Sequence, residues 1–123
     1  MKKVILDTNF ILTCVKQKID FLEEIKFMGI DVLIPEEVLD EVRKIMNSRK
    51  KLHFKEDAKL ALKILNRNKF KKINIGTADV DKGIANFAEK NKDVIVATLD
   101  RELKKKIKKS KLVIRGKKKL EVI

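Results

Sequence analysis

The chain has 123 residues, a hydrophobic fraction of 44% and a net charge of +13 at pH 7. These values predict one folded domain over residues 1–123, and they exclude general disorder and a membrane-spanning segment. The apolar stretch at the N-terminus is short and is interrupted by Asp7, so no signal peptide is predicted and the expected location is the cytoplasm.

Apolar segments of strand and helix character alternate along the chain. The predicted order is strand 2–6, helix 8–17, helix 19–28, strand 31–34, helix 36–48, helix 54–67, strand 72–75, helix 79–91, strand 94–98, helix 101–109, strand 111–115 and strand 120–123. The central strands are continuous apolar runs, as expected of strands buried on both sides. The alternation predicts an α/β fold, a three-layer α/β/α sandwich around a central parallel sheet.

Two of the predicted strands lead into an aspartate that opens a helix. Asp7 follows the first strand, and Asp100 follows the strand at 94–98. Parallel α/β proteins place their chemistry at the carboxyl ends of strands, where Asn9 and Thr98 are also expected. A helix N-cap is the alternative role for each aspartate, because a capping carboxylate satisfies free backbone amides.

Glu41 is the acid of helix 36–48 that borders its buried side, since Val38 and Val42 define that side. Asp40 is instead expected to face solvent and to pair with Lys44, four residues further along the helix. These positions predict that Glu41 is carried toward the sheet edge.

Asp79 and Asp81 precede the body of helix 79–91, and either can act as its N-cap. Asp81 shares the core-facing stripe with Ile84 and Ala85, so it is the preferred site acid and Asp79 is its substitute.

Other residues are given local roles. Glu37 is interpreted as a first-turn acid that favours the helix dipole. Gly83 lies inside a helix, where it indicates close packing, approach to a ligand or a tolerated weak spot. His53 lies in a basic connecting region and is disfavoured as a catalytic base. Cys14, the only cysteine, is expected in the core, and it excludes an intramolecular disulfide or a cysteine zinc cluster.

Positive charge is concentrated near the C-terminus. Eleven basic residues and one acid, Glu102, lie between 101 and 119, which gives 11 − 1 = +10 of the total charge. This segment favours a phosphate-backbone partner, although a solvated helix face in a lysine-rich chain is the alternative. The chain has no Trp or Tyr, and its six Phe mostly have core-like spacing, so base stacking is not indicated.

Acids that converge in a basic protein suggest a metal site acting on a polyanion. Carboxylates packed together repel one another and raise their pKa values, and a hard divalent cation removes that penalty. Oxygen ligands suit Mg²⁺ or Mn²⁺, and such an ion activates water and stabilises charge on a phosphodiester.

Four segments give the chain a family resemblance. They are Val4-Ile5-Leu6-Asp7-Thr8-Asn9, Ile34-Pro35-Glu36-Glu37-Val38-Leu39-Asp40-Glu41, Ala78-Asp79-Val80-Asp81-Lys82-Gly83-Ile84 and Val94-Ile95-Val96-Ala97-Thr98-Leu99-Asp100-Arg101-Glu102-Leu103-Lys104. Over nearly its full length the chain resembles PIN domain ribonucleases. It looks most like the archaeal and eukaryotic branch that includes the small-subunit ribosomal RNA processing endonuclease, and VapC-type toxins share the fold and size.

The resemblance implies an endoribonuclease that uses Mg²⁺ or Mn²⁺. It assigns the metal-binding and catalytic positions to Asp7, Glu41, Asp81 and Asp100, with Asn9 and Thr98 supporting them. The basic residues expected to contact RNA are Arg101, Lys104, Lys105 and Lys108. It also implies a homodimer, and a ribosomal precursor or an antitoxin as partner, without a membrane. Lys82 departs from the pattern, because family members often carry a second adjacent acid there.

Three further functions compete with RNA processing or turnover. A VapC-type toxin is an alternative within the nuclease class, and it differs in acting with an antitoxin. A catalytically silent RNA-binding module would keep the basic segment and use the acids as caps. A phosphotransfer receiver or a haloacid-type phosphatase fits less well, since the latter needs a second aspartate where Asn9 stands.

Overall fold

The computed structural model describes residues 2–49, 51–107, 110–116 and 118–123. Its elements are β1 (Lys3–Leu6), α1 (Thr8–Lys16), α2 (Phe21–Phe27), β2 (Asp31–Pro35), α3 (Glu36–Met46), α4 (Leu52–Asn66), β3 (Lys71–Ile73), α5 (Val80–Lys90), β4 (Val94–Ala97), α6 (Arg101–Lys106), β5 (Lys111–Arg115) and β6 (Lys119–Val122). The predicted order of strands and helices is therefore confirmed.

One six-stranded sheet forms the centre of the molecule, in the order β3-β2-β1-β4-β5-β6. The first five strands are parallel, and β6 runs antiparallel to β5 at one edge. β1 lies between β2 and β4, so the chain leaves β1 toward one side of the sheet and later returns on the other. The carboxyl ends of β1 and β4 thus meet at a topological switch point.

Helices cover both faces of the sheet. α3 packs against α4, and α1 contacts both of them. α5 packs against α6 and β4. The general rule that crossovers between parallel strands are right-handed assigns α1 to α4 to one face and α5 and α6 to the other, because the chain crosses the sheet in opposite directions before and after β3. This arrangement is the predicted α/β sandwich with a mostly parallel sheet.

The buried strands explain the continuous apolar runs. Val4, Ile5 and Leu6 of β1 are fully buried, and so are Val96 and Ala97 of β4. Burial on both faces requires apolar side chains at successive positions rather than at alternate ones.

Cys14 lies in the core of α1, as predicted, and burial raises the pKa of its thiol to about 12. The thiolate that would react or bind metal is therefore disfavoured at neutral pH.

The last helix differs from its predicted range. The chain was expected to remain helical over 101–109, but α6 ends at Lys106, and Ile107 is extended and buried. Burying Ile107 against the core requires the chain to leave the helix there. Lys108 and Lys109 lie outside the described residues. In the described part of the chain, no helix combines the length and apolar character needed to cross a membrane.

Candidate active site

Asp7 lies at the switch point, immediately after β1. Its backbone N–H donates to the carbonyl oxygen of Ala97 at 3.0 Å, which joins the tips of β1 and β4. Its side chain is the N-cap of α1, because Oδ1 accepts from the Thr8 N–H at 2.8 Å. Oδ2 accepts from the Thr98 hydroxyl at 2.8 Å. Asp7 therefore has the capping role that was predicted as an alternative, and capping uses only one of its two carboxylate oxygens.

Burial determines the electrostatics of Asp7, which is 3% exposed. Desolvation raises the pKa of its carboxyl, and the nearby charges of Glu41 and Asp100 raise it further. The hydrogen bonds from Thr98 and Thr8 act in the opposite direction without reversing the shift. Asp7 is therefore a buried carboxylate held by two hydrogen bonds, and no basic residue in the described part of the chain forms an ion pair with it.

Thr98 connects the two strand-end aspartates. The fully buried hydroxyl donates to Asp7, and it accepts a hydrogen bond from the backbone N–H of Asp100 at 3.1 Å. A hydroxyl satisfied on both sides fixes the relative positions of these two residues. The sequence placed Thr98 at this edge, and the structure shows which groups it joins.

Thr8 makes a hydrogen bond to Glu41 that the sequence did not indicate. Its hydroxyl donates to Oε1 of Glu41 at 2.5 Å, which links the first turn of α1 to α3. Glu41 is partly buried at the position predicted from Val38 and Val42. Only the packing of α1 on α3 reveals this bond, because the two residues are 33 positions apart.

Asp100 is the N-cap of α6. Its Oδ1 accepts from the backbone N–H groups of Glu102 at 2.9 Å and Leu103 at 3.3 Å. A hydrogen bond with the Asp81 carboxyl lowers the pKa of Asp100, and the Leu103 amide and the charge of Lys106 act in the same direction. Asp100 is thus held as the ionised member of a carboxyl pair.

Asp81 is the other member of that pair. Burial, the hydrogen bond with Asp100 and the charges of Asp7, Asp100 and Asp79 raise the pKa of Asp81 to about 6. Asp81 therefore holds its proton to a higher pH than Asp100 does.

Asp79 has different surroundings from Asp81. It is exposed, and its Oδ1 caps α5 by accepting from the Lys82 N–H at 3.2 Å. The two candidate acids of this segment therefore have different roles. Asp79 caps α5, and Asp81 faces Asp100.

Glu37 holds the loop before α5 through hydrogen bonds that the sequence did not reveal. Its two carboxylate oxygens accept from the backbone N–H groups of Ile75 and Gly76, each at 3.2 Å. Gly83 allows the same loop to approach α5, because a Cβ there would lie 2.6 Å from Cδ1 of Ile75 and 2.9 Å from Cγ2 of Thr77. Close packing is thus the reason for this helical glycine.

A pocket of about 540 Å³ opens at this edge of the sheet. Its lining comprises Asp7, Thr8, Asn9, Glu41, Lys44, Ile45, Ser48, Ala78, Asp79, Val80 and Asp81. Lys44 supplies the cation of this lining. The predicted pair of Asp40 with Lys44 is wrong, because Asp40 pairs with Arg43 at 3.0 Å and Lys44 makes no ion pair with any described residue.

The donors in and beside this pocket are oxygen atoms of carboxyl and hydroxyl groups, which are the ligands that Mg²⁺ and Mn²⁺ prefer. Within the described ranges, no three acidic, histidine or cysteine side chains are already drawn together as a metal-binding cluster. The donor chemistry fits a hard divalent ion, and the carboxyl groups would have to approach one another to bind it.

The remaining predicted residues lie around the acids. Asn9 is exposed and lines the pocket. Arg101, Lys104 and Lys105 lie on α6, directly after Asp100, whereas Lys108 falls outside the described residues. His53 is exposed on the first turn of α4 and does not line the pocket.

Comparison with known proteins gives the class of fold and site. Residues 4–118 match the family model described as a PIN like domain. The chain is 32% identical over 128 aligned residues to ribonuclease VapC4 of Methanocaldococcus jannaschii, covering 99% of this chain and 97% of that protein. The chain therefore belongs to the PIN-like domain family, as the resemblance predicted.

Solved structures agree with that assignment. The PIN domain endonuclease Utp24 superposes with a TM-score of 0.78 and 27% identity, covering 98% of this chain and 90% of that chain. VapBC2 from Rickettsia felis, bound to a DNA fragment from its promoter, gives a TM-score of 0.58 and 16% identity, covering 84% and 92%. This second likeness concerns the fold alone.

Proposed function

We propose that this protein is a metal-dependent endoribonuclease that hydrolyses RNA phosphodiester bonds in RNA processing or turnover. The observation that supports the proposal is the electrostatic coupling of four acids near the switch point of the sheet, Asp7, Glu41, Asp81 and Asp100. The charges of Glu41 and Asp100 raise the pKa of Asp7, and those of Asp7 and Asp100 raise the pKa of Asp81. Acids that repel one another in this way are stabilised by a bound cation.

The four acids would hold Mg²⁺ or Mn²⁺, with Thr98, Thr8 and Asn9 supporting them. Such an ion supplies a Lewis acid that lowers the pKa of a water molecule and offsets charge on the phosphate. Asp81 is preferred to Asp79, because the Asp79 carboxylate caps α5 whereas Asp81 faces Asp100. Thr98 and Thr8 orient Asp7 and Glu41, which reduces the rearrangement needed on binding.

The basic residues of the chain suit an RNA backbone. Arg101, Lys104 and Lys105 follow Asp100 on α6, and Lys44 lines the pocket on α3. Phosphates on either side of the reacting bond would therefore meet positive charge on two different helices. Lys44 has no competing ion pair among the described residues, so its ammonium group is available to an anion.

The relatives support nuclease activity without identifying the RNA. VapC4 is named a ribonuclease, and Utp24 is named an endonuclease. The likeness to VapC4 over 99% of this chain also favours a second candidate, a toxin ribonuclease that is held inactive by an antitoxin protein.

A cleavage assay tests the proposal. Single-stranded RNA is incubated with the purified protein and Mn²⁺, Mg²⁺ or EDTA, and Asp7→Asn is compared with Asp31→Asn. Asp31 is an exposed acid at the start of β2, at the end of the parallel strands opposite to Asp7, so it provides a control of the same residue type. We expect cleavage that needs the metal and is lost only in Asp7→Asn. Equal activity of wild type and Asp7→Asn would remove the basis of the proposal and would favour a silent RNA-binding module.

Expression of the chain alone separates processing from toxicity. A toxin arrests growth in an Asp7-dependent manner and copurifies with a small antitoxin when produced with its neighbouring genes. A processing enzyme does neither, and its loss leaves an uncleaved precursor RNA that sequencing of RNA ends detects.

A further inference from the structure

Two phenylalanines, Phe27 and Phe54, are exposed rather than placed in the core. Phe54, on the first turn of α4, is 45% exposed. Its ring lies against the exposed ring of His53, with centroids 4.1 Å apart and planes inclined at 40°. The six Phe residues were expected to have mostly core-like spacing, and the exposure of Phe54 is an exception to it.

Phe54 lines a cleft that adjoins the acidic pocket. This second cleft has a volume of about 240 Å³. Its lining comprises Asn9, Leu12, Thr13, Lys16, Ile45, Phe54 and Asp57. Asn9 and Ile45 also line the acidic pocket, so the two cavities share a wall. The cleft therefore lies directly beside the acidic pocket.

Basic residues lie near Phe54 in the chain and in the cleft. Lys51 and Lys55 lie three residues before it and one after it, and Lys16 lines the same cleft, where Asp57 is an opposing charge and Glu56 is another on the same helix. An exposed aromatic ring among cations is typical of sites that bind single-stranded nucleic acid, since the ring stacks on a base and the cations contact phosphates.

Exposure alone does not distinguish Phe54. Phe27 at the end of α2 is 84% exposed, yet it lines neither the acidic pocket nor the adjoining cleft. What marks Phe54 is the combination of an exposed ring, flanking lysines and a cavity shared with the acids. A docking helix of a partner protein would use the apolar lining, but it would leave the lysines without anionic partners.

We propose that Phe54, with His53 beside it, is a stacking site for an unpaired base of an RNA strand whose phosphate lies at the acidic pocket. This assignment rests on the proposed function, because it takes RNA as the occupant of that pocket. It gives the protein a preference for single-stranded over duplex RNA, since both faces of a base inside a duplex are covered by the neighbouring base pairs.

The absence of Trp and Tyr from the chain allows a direct test. Phe54→Trp introduces one fluorophore at the site, and Phe27→Trp introduces one at an exposed control position. Each variant is titrated in EDTA, which keeps the strand intact, with single-stranded oligouridylate and with an abasic oligomer of equal length. Binding is followed in parallel by anisotropy of a labelled oligomer.

We expect oligouridylate to quench the fluorescence of Phe54→Trp, whereas the abasic oligomer and the Phe27→Trp variant give no quenching. Binding by anisotropy without quenching in Phe54→Trp would overturn the assignment. Equal quenching by the abasic oligomer, or in the control variant, would overturn it too.

Kinetics on the full chain separate this assignment from the proposed function. Phe54→Ala should raise KM for single-stranded RNA about fivefold or more and leave kcat within about twofold, because stacking contributes to binding. Phe54→Leu keeps an apolar side chain without a ring, so it should behave like Phe54→Ala. Full activity in Phe54→Leu would reject stacking while leaving the nuclease proposal intact. Quenching without metal-dependent cleavage would reject the nuclease proposal and retain the stacking site.

Discussion

Asp7 and Asp100 arise from the same sequence pattern and occupy opposite electrostatic environments. Each follows a buried strand and caps a helix, and both are joined to Thr98. Yet burial raises the pKa of Asp7, whereas hydrogen bonds lower the pKa of Asp100. A pattern of strand followed by acid therefore predicts position at the sheet edge but not the charge state.

The difference has a topological cause. β1 is central, with β2 and β4 on its two sides, and Asp7 follows its last residue directly. β4 ends at Ala97, so Asp100 lies three residues beyond the strand and reaches the open edge. Asp7 is held in place by burial, whereas Asp100 lies where solvent and basic side chains reach it.

Replacing the two acids separately should give the largest effects. We expect Asp7→Asn and Asp100→Asn each to reduce RNA cleavage by about 100-fold or more, since even outer-sphere partners of a metal are worth about 10- to 100-fold. Their effects on stability should differ. In metal-free protein at pH 7, thermal unfolding should show that Asp7→Asn is stabilising and that Asp100→Asn is not.

The direction follows from linkage. The raised pKa of Asp7 means that its contribution to stability is complete below its usual value of 3.8 and is lost as the pH rises. The lowered pKa of Asp100 means that its contribution is present above 3.8 and is lost as the pH falls. Shifts of the same sign in both variants would contradict the contrast between the two environments.

Thr98→Val should have the next largest effect, because the substitution keeps the shape and removes the hydroxyl that joins the two acids. We expect cleavage to fall by about 10- to 100-fold and the free energy of unfolding to fall by about 1–3 kcal/mol. If Thr98→Val cleaves RNA like wild type, the link between the two strand ends is not functional.

Asp79→Ala and Asp81→Ala extend the comparison to α5. Loss of the cap should cost Asp79→Ala about 1 kcal/mol of stability and leave cleavage within a few-fold. Asp81→Ala should abolish cleavage and stabilise the metal-free protein at pH 7. The gain should disappear near pH 4, because the pKa of about 6 makes wild-type Asp81 lose its stabilising proton between about pH 4 and pH 7. Loss of cleavage in Asp79→Ala but not in Asp81→Ala would make Asp79 the site acid.

Glu37→Gln should have the smallest effect. A glutamine retains one acceptor oxygen for the Ile75 and Gly76 amides, so the fold should persist while the loop before α5 loosens. We expect a loss of several-fold in Mn²⁺ affinity and in cleavage at low Mn²⁺, recovered at saturating metal. Glu36→Gln, on the same helical turn, is the matched control. A defect that saturating metal does not correct would show that Glu37 acts elsewhere.

The order of elements was accessible from sequence because it depends on local patterns. Continuous apolar runs marked the strands, and Pro35 marked the start of α3. The end of α6 was missed because the burial of Ile107 is a tertiary effect that overrides a helical run of lysines.

Local sequence patterns did not predict contacts between residues that lie far apart in the chain. Glu37 reads as a first-turn acid until the fold places it against residues 38 and 39 positions away. The Asp40 pairing was assigned to the wrong cation, since two basic residues stood within reach on one helix. The six Phe residues were expected to be mostly in the core, and only the fold shows that the ring of Phe54 is exposed.

Metal binding by the RNA-free protein tests the central claim most directly. Mn²⁺ is titrated by calorimetry into wild type, Asp7→Asn, Asp100→Asn and the control Asp31→Asn. We expect saturable binding in wild type and Asp31→Asn, and binding weakened by about 100-fold or more in the two site variants. Equal Mn²⁺ affinity in wild type, Asp7→Asn and Asp100→Asn would contradict the assignment of these acids to a metal site.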